Sequence, residues 1–280
     1  MKKMIVLAIS YLWINVVFAQ TGSCCAAPDN FAAFSGDIAF VNMHIDPLPF
    51  NFISEKGKLK KIKCGDGKEA NIFEFKSKKK SNKYLIVVHE WWGLNGYIKD
   101  MSEKLYGDLD EKVTVIAIDL YDGRVAETKD SAGSYMKNLD PKRAESIMQA
   151  VIQNCGDNAQ IATIGWCLGG GYALQTSILA KEKAVACVIY YGFPETDTVK
   201  LKQLEANVLM VWPNKDKWIT VTVVDQFKAD MLLLNKNLKV EEYTADHAFA
   251  NPSNPKHNAE FAADAYAKSL TFINANFNEK

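Results

Sequence analysis

From residue 84 onward, short apolar runs alternate with stretches of helical spacing. Tyr84-Leu85-Ile86-Val87-Val88 is apolar throughout and reads as a buried strand. Tyr97 to Asp110 follows with helical period, and Val113 to Leu120 is a second apolar strand. Pro141 to Gln153 is helical, with Asp140 as its cap and Pro141 in its first turn, where a missing N–H costs nothing. Ile161 to Ile164 is a strand and Leu168 to Ala180 a helix. Three more strands are expected at Ala184 to Tyr191, Asn207 to Trp212 and Leu238 to Tyr243. Helices are expected at Thr220 to Asn235 and Asn258 to Asn276. Strands without polar alternation are buried on both faces, and alternation with helices supplies the cover. The predicted class is therefore α/β, with a mostly parallel central sheet and helices on both faces. Upstream, Lys58 to Cys64 and Ala70 to Phe75 alternate weakly, which suggests an antiparallel pair joined near Gly65-Asp66-Gly67. Residues 20–57 hold no sustained period and contain the breaker cluster Asp46-Pro47-Leu48-Pro49. They read as an irregular N-terminal arm lying on a domain that runs from 58 to 280. No internal repeat is visible.

The junction at Gly165-Trp166-Cys167-Leu168-Gly169 concentrates the candidate chemistry. An apolar strand there turns at once into a helix. Such a turn crowds the backbone, and the apex residue is often held in strained φ/ψ. Glycines on both sides leave room for it, so the Cys167 thiol is expected at the top of the sheet. The N–H of Leu168 would sit at a helix N-terminus, where a developing oxyanion is favoured. The competing reading is a buried structural cysteine. A thiol nucleophile needs a base, and the base needs an orienting group. His247 and His257 follow Cys167 in the chain. His247 lies directly after a predicted strand, whereas His257 begins the last helix and reads as a surface or capping residue. Asp216 follows the strand Asn207 to Trp212 and is the expected partner of His247. Asp246 is its immediate neighbour in sequence, and such neighbours seldom face one another. Val88-His89-Glu90-Trp91-Trp92-Gly93 ends the first long strand, and Trp91 there is positioned to supply a second oxyanion N–H. Glu90 reads either as a strand-end salt-bridge residue or as an acid beside the thiol. No His/Cys/carboxylate set has metal-ligand spacing along the chain, and neither a metal nor a cofactor is expected.

The N-terminus changes where this chemistry is expected to operate. Lys2 and Lys3 precede a mostly apolar run to Phe18, and Val17-Phe18-Ala19 ends in a small residue. That layout is a secretory signal peptide over residues 1–19, cleaved before Gln20. The run is short for a membrane span, which takes about 20 residues; lipid attachment at Cys24 is a weaker alternative. A periplasmic or secreted protein with no stable membrane insertion is expected. Lys+Arg and Asp+Glu stand at 33 each, so nothing points to nucleic acid as a partner. Export also permits disulfides. Of Cys24, Cys25, Cys64, Cys155, Cys167 and Cys187, the first three are the candidates for pairing, and Cys187 reads as a buried strand residue.

Taken together, Gly165-Trp166-Cys167-Leu168-Gly169-Gly170, His89-Glu90-Trp91-Trp92-Gly93, Asp119-Leu120-Tyr121, Asp216 and His247-Ala248-Phe249 resemble the dienelactone hydrolase family. The resemblance covers roughly Lys58 to the C-terminus. It implies an α/β-hydrolase fold, a Cys167–His247–Asp216 triad, and Glu90 as the residue controlling protonation and orientation of the thiol. It further implies hydrolysis of lactones or small activated esters through an acyl-enzyme. Arg124, Trp92, Tyr121 and Phe249 are expected around the substrate, and a monomer is expected. Members that act on a carboxylate-bearing lactone hold it with two arginines. Here Arg124 is displaced by one position from the first site, and Asn251 stands near the second. A peptidase, a general carboxylesterase, or a non-catalytic thiol redox or binding protein are the alternatives.

Overall fold

The computed structural model describes residues 33–278; the proposed signal peptide, Cys24 and Cys25 lie outside them. Eight strands form a single sheet: β1 (Gly57–Lys63), β2 (Glu69–Phe75), β3 (Lys83–Val88), β4 (Thr114–Ile118), β5 (Gln160–Trp166), β6 (Ala184–Tyr190), β7 (Asn207–Pro213) and β8 (Leu238–Tyr243). Their spatial order is β1-β2-β4-β3-β5-β6-β7-β8. β1 and β2 pair antiparallel, and β2 meets β4 antiparallel, with Ile72 opposite Ile118. Every later pairing is parallel, from Val88 beside Gly165 to Trp212 beside Glu242.

The α-helices with both ends among the described residues are α1 (Ile38–Met43), α2 (Gly96–Asp108), α3 (Lys129–Lys137), α4 (Pro141–Asn154), α5 (Leu168–Ala180), α6 (Thr198–Leu201), α7 (Val221–Leu233) and α8 (Ala259–Asn278). Asp140 caps α4 through the Lys142 N–H, with Pro141 in the first turn as expected. β4 and β6 are buried along their whole length, and β3, β5 and β7 nearly so, as the unbroken apolar runs require. α5 is buried on almost its entire surface, because it packs between the sheet and α4. This is the α/β-hydrolase fold, and it delivers the carboxyl ends of β3, β5, β6, β7 and β8 to one edge.

Three expectations need correction. The arm is not irregular throughout: Asp37 accepts hydrogen bonds from the N–H groups of Ala39 and Phe40 and starts α1. Six residues are too few for a periodic signal to stand out in sequence. α3 was also not foreseen. It is a polar, short helix whose start rests on the reciprocal Thr128–Ser131 capping box. Cys64 is a buried free thiol, as are Cys155, Cys167 and Cys187. It lies beside Arg143, whose guanidinium ties Asp66, Asp122 and the Glu69 carbonyl together. Cys187 lies buried in β6 as anticipated.

Candidate active site

Cys167 stands at the apex between β5 and α5 with φ 55° and ψ −121°, a conformation that L-residues rarely hold. Its N–H donates to the Tyr190 carbonyl at 2.9 Å, which fixes the turn to β6. The flanking glycines are sterically required. A Cβ on Gly165 would strike the Gly169 carbonyl, and one on Gly169 would strike the carbonyls of Val88 and His89. Strand and helix thus touch backbone to backbone, and the thiol is held above them.

Three strand ends supply the rest. The loop after β7 places Asp216, whose Oδ1 accepts the N–H groups of Trp218 (2.9 Å) and Ile219 (3.0 Å). Its Oδ2 accepts from His247 Nδ1 at 2.6 Å, and both side chains are completely buried. That bond leaves His247 Nε2 toward Cys167, with which the ring is hydrogen-bonded. Asp246, by contrast, pairs with Lys256 at 2.9 Å on the surface, and His257 is exposed. Burial works against a charged His247 ring, yet the Asp216 carboxylate, with Cys167, lifts it up to about 10. Burial pushes the Cys167 thiol up; His247 pulls it back, Glu90 adds to the rise, and the Leu168 N–H offsets part of it.

The β3 end is organised by His89. Its Nε2 accepts the Leu120 N–H at 3.1 Å, so Nδ1 carries the proton and donates to the Glu90 carbonyl at 2.6 Å. One buried imidazole therefore joins the β3 and β4 loops. Asp119 stiffens the second loop by accepting the Tyr121 N–H. Glu90 is buried, and its Oε2 accepts from Asn251 Nδ2 at 2.7 Å. Burial raises its carboxyl to about 7, with His247 and the Asn251 bond pulling the other way. Trp91 and Trp92 are buried side by side, with ring centroids 5.0 Å apart.

Two of the residues expected around the substrate are engaged by other groups of the protein. Arg124 is exposed: its Nε donates to the Tyr121 carbonyl at 2.9 Å and its guanidinium lies over the Tyr135 ring. Phe249 packs against Tyr191, Tyr243 and Phe261, which makes it a support for Tyr191. Tyr121 does approach, because its phenol senses Cys167, and burial pushes that phenol strongly up.

The groups that sequence reasoning missed come from the arm and from β6. Tyr191 (φ 39°) sets its ring 5.0 Å from that of His247. An aromatic residue at the end of an apolar strand and followed by glycine was the available signal. Phe40 of α1 is fully buried against Trp91, Trp218 and His247. His44, just past α1, packs 4.3 Å from the Trp91 ring and 6.1 Å from His247. Its Nδ1 donates to the Phe40 carbonyl at 2.9 Å. Burial and the His247 ring push His44 down to about 3, so it is neutral. Nothing in Asn42-Met43-His44-Ile45 marks a site residue. As a result of this roof, Cys167 is only 1% exposed. Three buried polar atoms here have no hydrogen-bond partner among the described residues: Trp91 Nε1, Tyr121 Oη and Tyr191 Oη.

The sequence model of the dienelactone hydrolase family matches residues 71–277. The chain belongs to the dienelactone hydrolase family. As a member, it is a hydrolase acting on ester bonds. A curated relative, carboxymethylenebutenolidase 1 of Cupriavidus pinatubonensis, is 23% identical over 203 residues, covering 68% of this chain and 84% of the relative. Among solved structures, a dienelactone hydrolase-like promiscuous phosphotriesterase from metagenomic libraries superposes with a TM-score of 0.68 at 18% identity, covering 79% of this chain and 98% of the other. Esterase 2 of Thermogutta terrifontis gives 0.57 at 15% identity, covering 83% and 97%. These two likenesses concern the fold. Phe40 and His44 precede the segment that the family model matches.

Proposed function

We propose that this family member is a thiol hydrolase that opens lactones or small activated esters through an acyl-enzyme on Cys167. The observation that carries the reading is the buried Asp216–His247 bond aimed at a thiol on a strained strand-to-helix apex. His247 Nε2 takes the thiol proton as Sγ attacks the substrate carbonyl. The N–H groups of Leu168 and Trp91 receive the oxyanion, at about 3 kcal/mol each. His247 returns the proton to the leaving alkoxide, then activates the water that clears the acyl group. Asp216 holds the proton on His247 Nδ1, which turns Nε2 toward the thiol and stabilises the imidazolium that forms when the thiol proton is taken. The partnerless donors of Trp91, Tyr121 and Tyr191 are available for substrate oxygens. Arg124 is engaged at the surface and Asn251 with Glu90, which favours a neutral substrate over a carboxylate-bearing one. The test is turnover of p-nitrophenyl acetate and of neutral lactones. Iodoacetamide should abolish both activities. A protein that turns over neither, yet forms a stable mixed disulfide at Cys167, is a redox protein and refutes this reading.

Glu90 is proposed to keep the resting thiol protonated, since a nearby carboxylate disfavours the thiolate. Its carboxyl is raised to about 7, so the restraint is present only when it ionises, above that pH. Glu90→Gln should leave iodoacetamide labelling of Cys167 nearly unchanged at pH 6 and speed it about three- to tenfold at pH 8.5. Equal rates at both pH values would make Glu90 a structural partner of Asn251 and nothing more.

Export is proposed from residues 1–19. No helix among the described residues is long and apolar enough to cross a membrane. The exported protein should begin at Gln20, as intact-mass measurement would show; a mass that includes residues 1–19, or lipid on Cys24, refutes this.

A further inference from the structure

We propose that His44, Cys167 and His247 form a binding site for a divalent cation of the zinc type, which pins the N-terminal arm over the thiol. One donor atom from each residue lies within 4.8 Å of the other two, and all three residues are buried. Along the sequence these residues are far apart; the fold alone assembles them. A tetrahedral zinc site with bonds of about 2.0–2.3 Å needs donor separations of about 3.5 Å. A closure of about 1 Å by side-chain rotation therefore completes three of its corners and leaves the fourth for water.

The surroundings are those of a metal site as well. His44 Nδ1 donates to the Phe40 carbonyl and His247 Nδ1 to the Asp216 carboxylate. Each ring is thus fixed through Nδ1, which is how metal-ligating histidines are usually held, and a cation would replace the existing His247–Cys167 hydrogen bond. Two imidazoles and a thiolate select zinc-like cations over magnesium or calcium, which prefer oxygen. On binding, the Cys167 thiol gives its proton to solvent and a sulfur–metal bond forms, with no change of oxidation state. Any proton on His247 Nε2 leaves in the same way.

His44 belongs to the arm, whereas Cys167 and His247 lie within the family domain. A bound cation is therefore a staple between the two. If Cys167 is the nucleophile, as proposed above, the cation also occupies the nucleophile and its base together, and so inhibits hydrolysis.

Direct metal binding tests the site without relying on activity. The reduced exported protein is titrated with Co²⁺, and Zn²⁺ is then added in competition. One cobalt per chain should give sulfur-to-cobalt charge-transfer absorption in the near ultraviolet, which zinc erases. Cys167→Ser should abolish the absorption, and His44→Ala should weaken zinc binding by about 100-fold or more. Zinc should raise the Tm of the wild type but not of His44→Ala. The double variant Cys24→Ser/Cys25→Ser should keep the full signal. If His44→Ala fails to fold by circular dichroism, His44→Leu takes its place under the same criteria. Three outcomes overturn the proposal: no charge-transfer band in the wild type, equal zinc affinity with and without His44, or a signal that depends on Cys24 and Cys25.

Discussion

Asp216→Asn should lower kcat by about three to four orders of magnitude, while Asp246→Asn changes it less than about threefold. The contrast follows from where the two carboxylates end up. Asp216 is buried with Oδ2 on His247 Nδ1 at 2.6 Å. An amide there offers its Nδ2–H₂ to the ring, which then accepts at Nδ1 and carries its proton on Nε2. The thiol is left facing a donor where it needs an acceptor. Folding should change little, since the asparagine Oδ1 can still receive the N–H groups of Trp218 and Ile219. Asp246 holds only a surface pair with Lys256, of the kind worth about 0–1 kcal/mol. Steady-state kinetics and a Tm for each variant settle the matter. The opposite ranking would remove Asp216 from the triad.

Cys167→Ala should remove more, about five to six orders of magnitude in kcat, because no hydroxyl or thiol remains to form the acyl-enzyme. The variant should stay folded. Alanine keeps the Cβ, so the strain at φ 55° is no greater than in the wild type, and the flanking glycines still let β5 and α5 touch. Kinetics on protein freed of contaminating esterases, with circular dichroism as the folding check, measure this. Residual activity within about tenfold of wild type would mean that another group performs the attack.

The elements that were legible in sequence are those whose burial leaves a pattern. The apolar runs that become β3 to β7 are buried on both faces, and α4 declares its start through Asp140 and Pro141. The elbow was legible because each glycine answers a steric demand that only glycine meets there. Chain order placed Asp216 and His247, since a parallel sheet sends every strand end to one edge. What escaped were contacts without local pattern. Phe40 sits on a six-residue helix and His44 just past its end, both placed by tertiary packing, Phe40 against Trp91 and Trp218 and His44 against Trp91. Tyr191 follows Tyr190 at a strand end, and nothing local says which of the two rings faces His247. Side-chain direction was not legible either: Phe249 turns to an aromatic cluster beside Tyr191, and Arg124 lies over the Tyr135 ring at the surface. Proximity in sequence to a motif does not determine side-chain direction.

If Cys167 carries the acyl group, the acyl-enzyme can be trapped by mixing the protein with p-nitrophenyl acetate, quenching in acid during the first turnover, and mapping acetyl groups by peptide mass spectrometry. One acetyl per chain is expected on the peptide containing Cys167, formed with the nitrophenolate burst and lost as turnover proceeds. A burst with the acetyl on another residue, or turnover with no acetyl on Cys167 at any time, would contradict this role of Cys167.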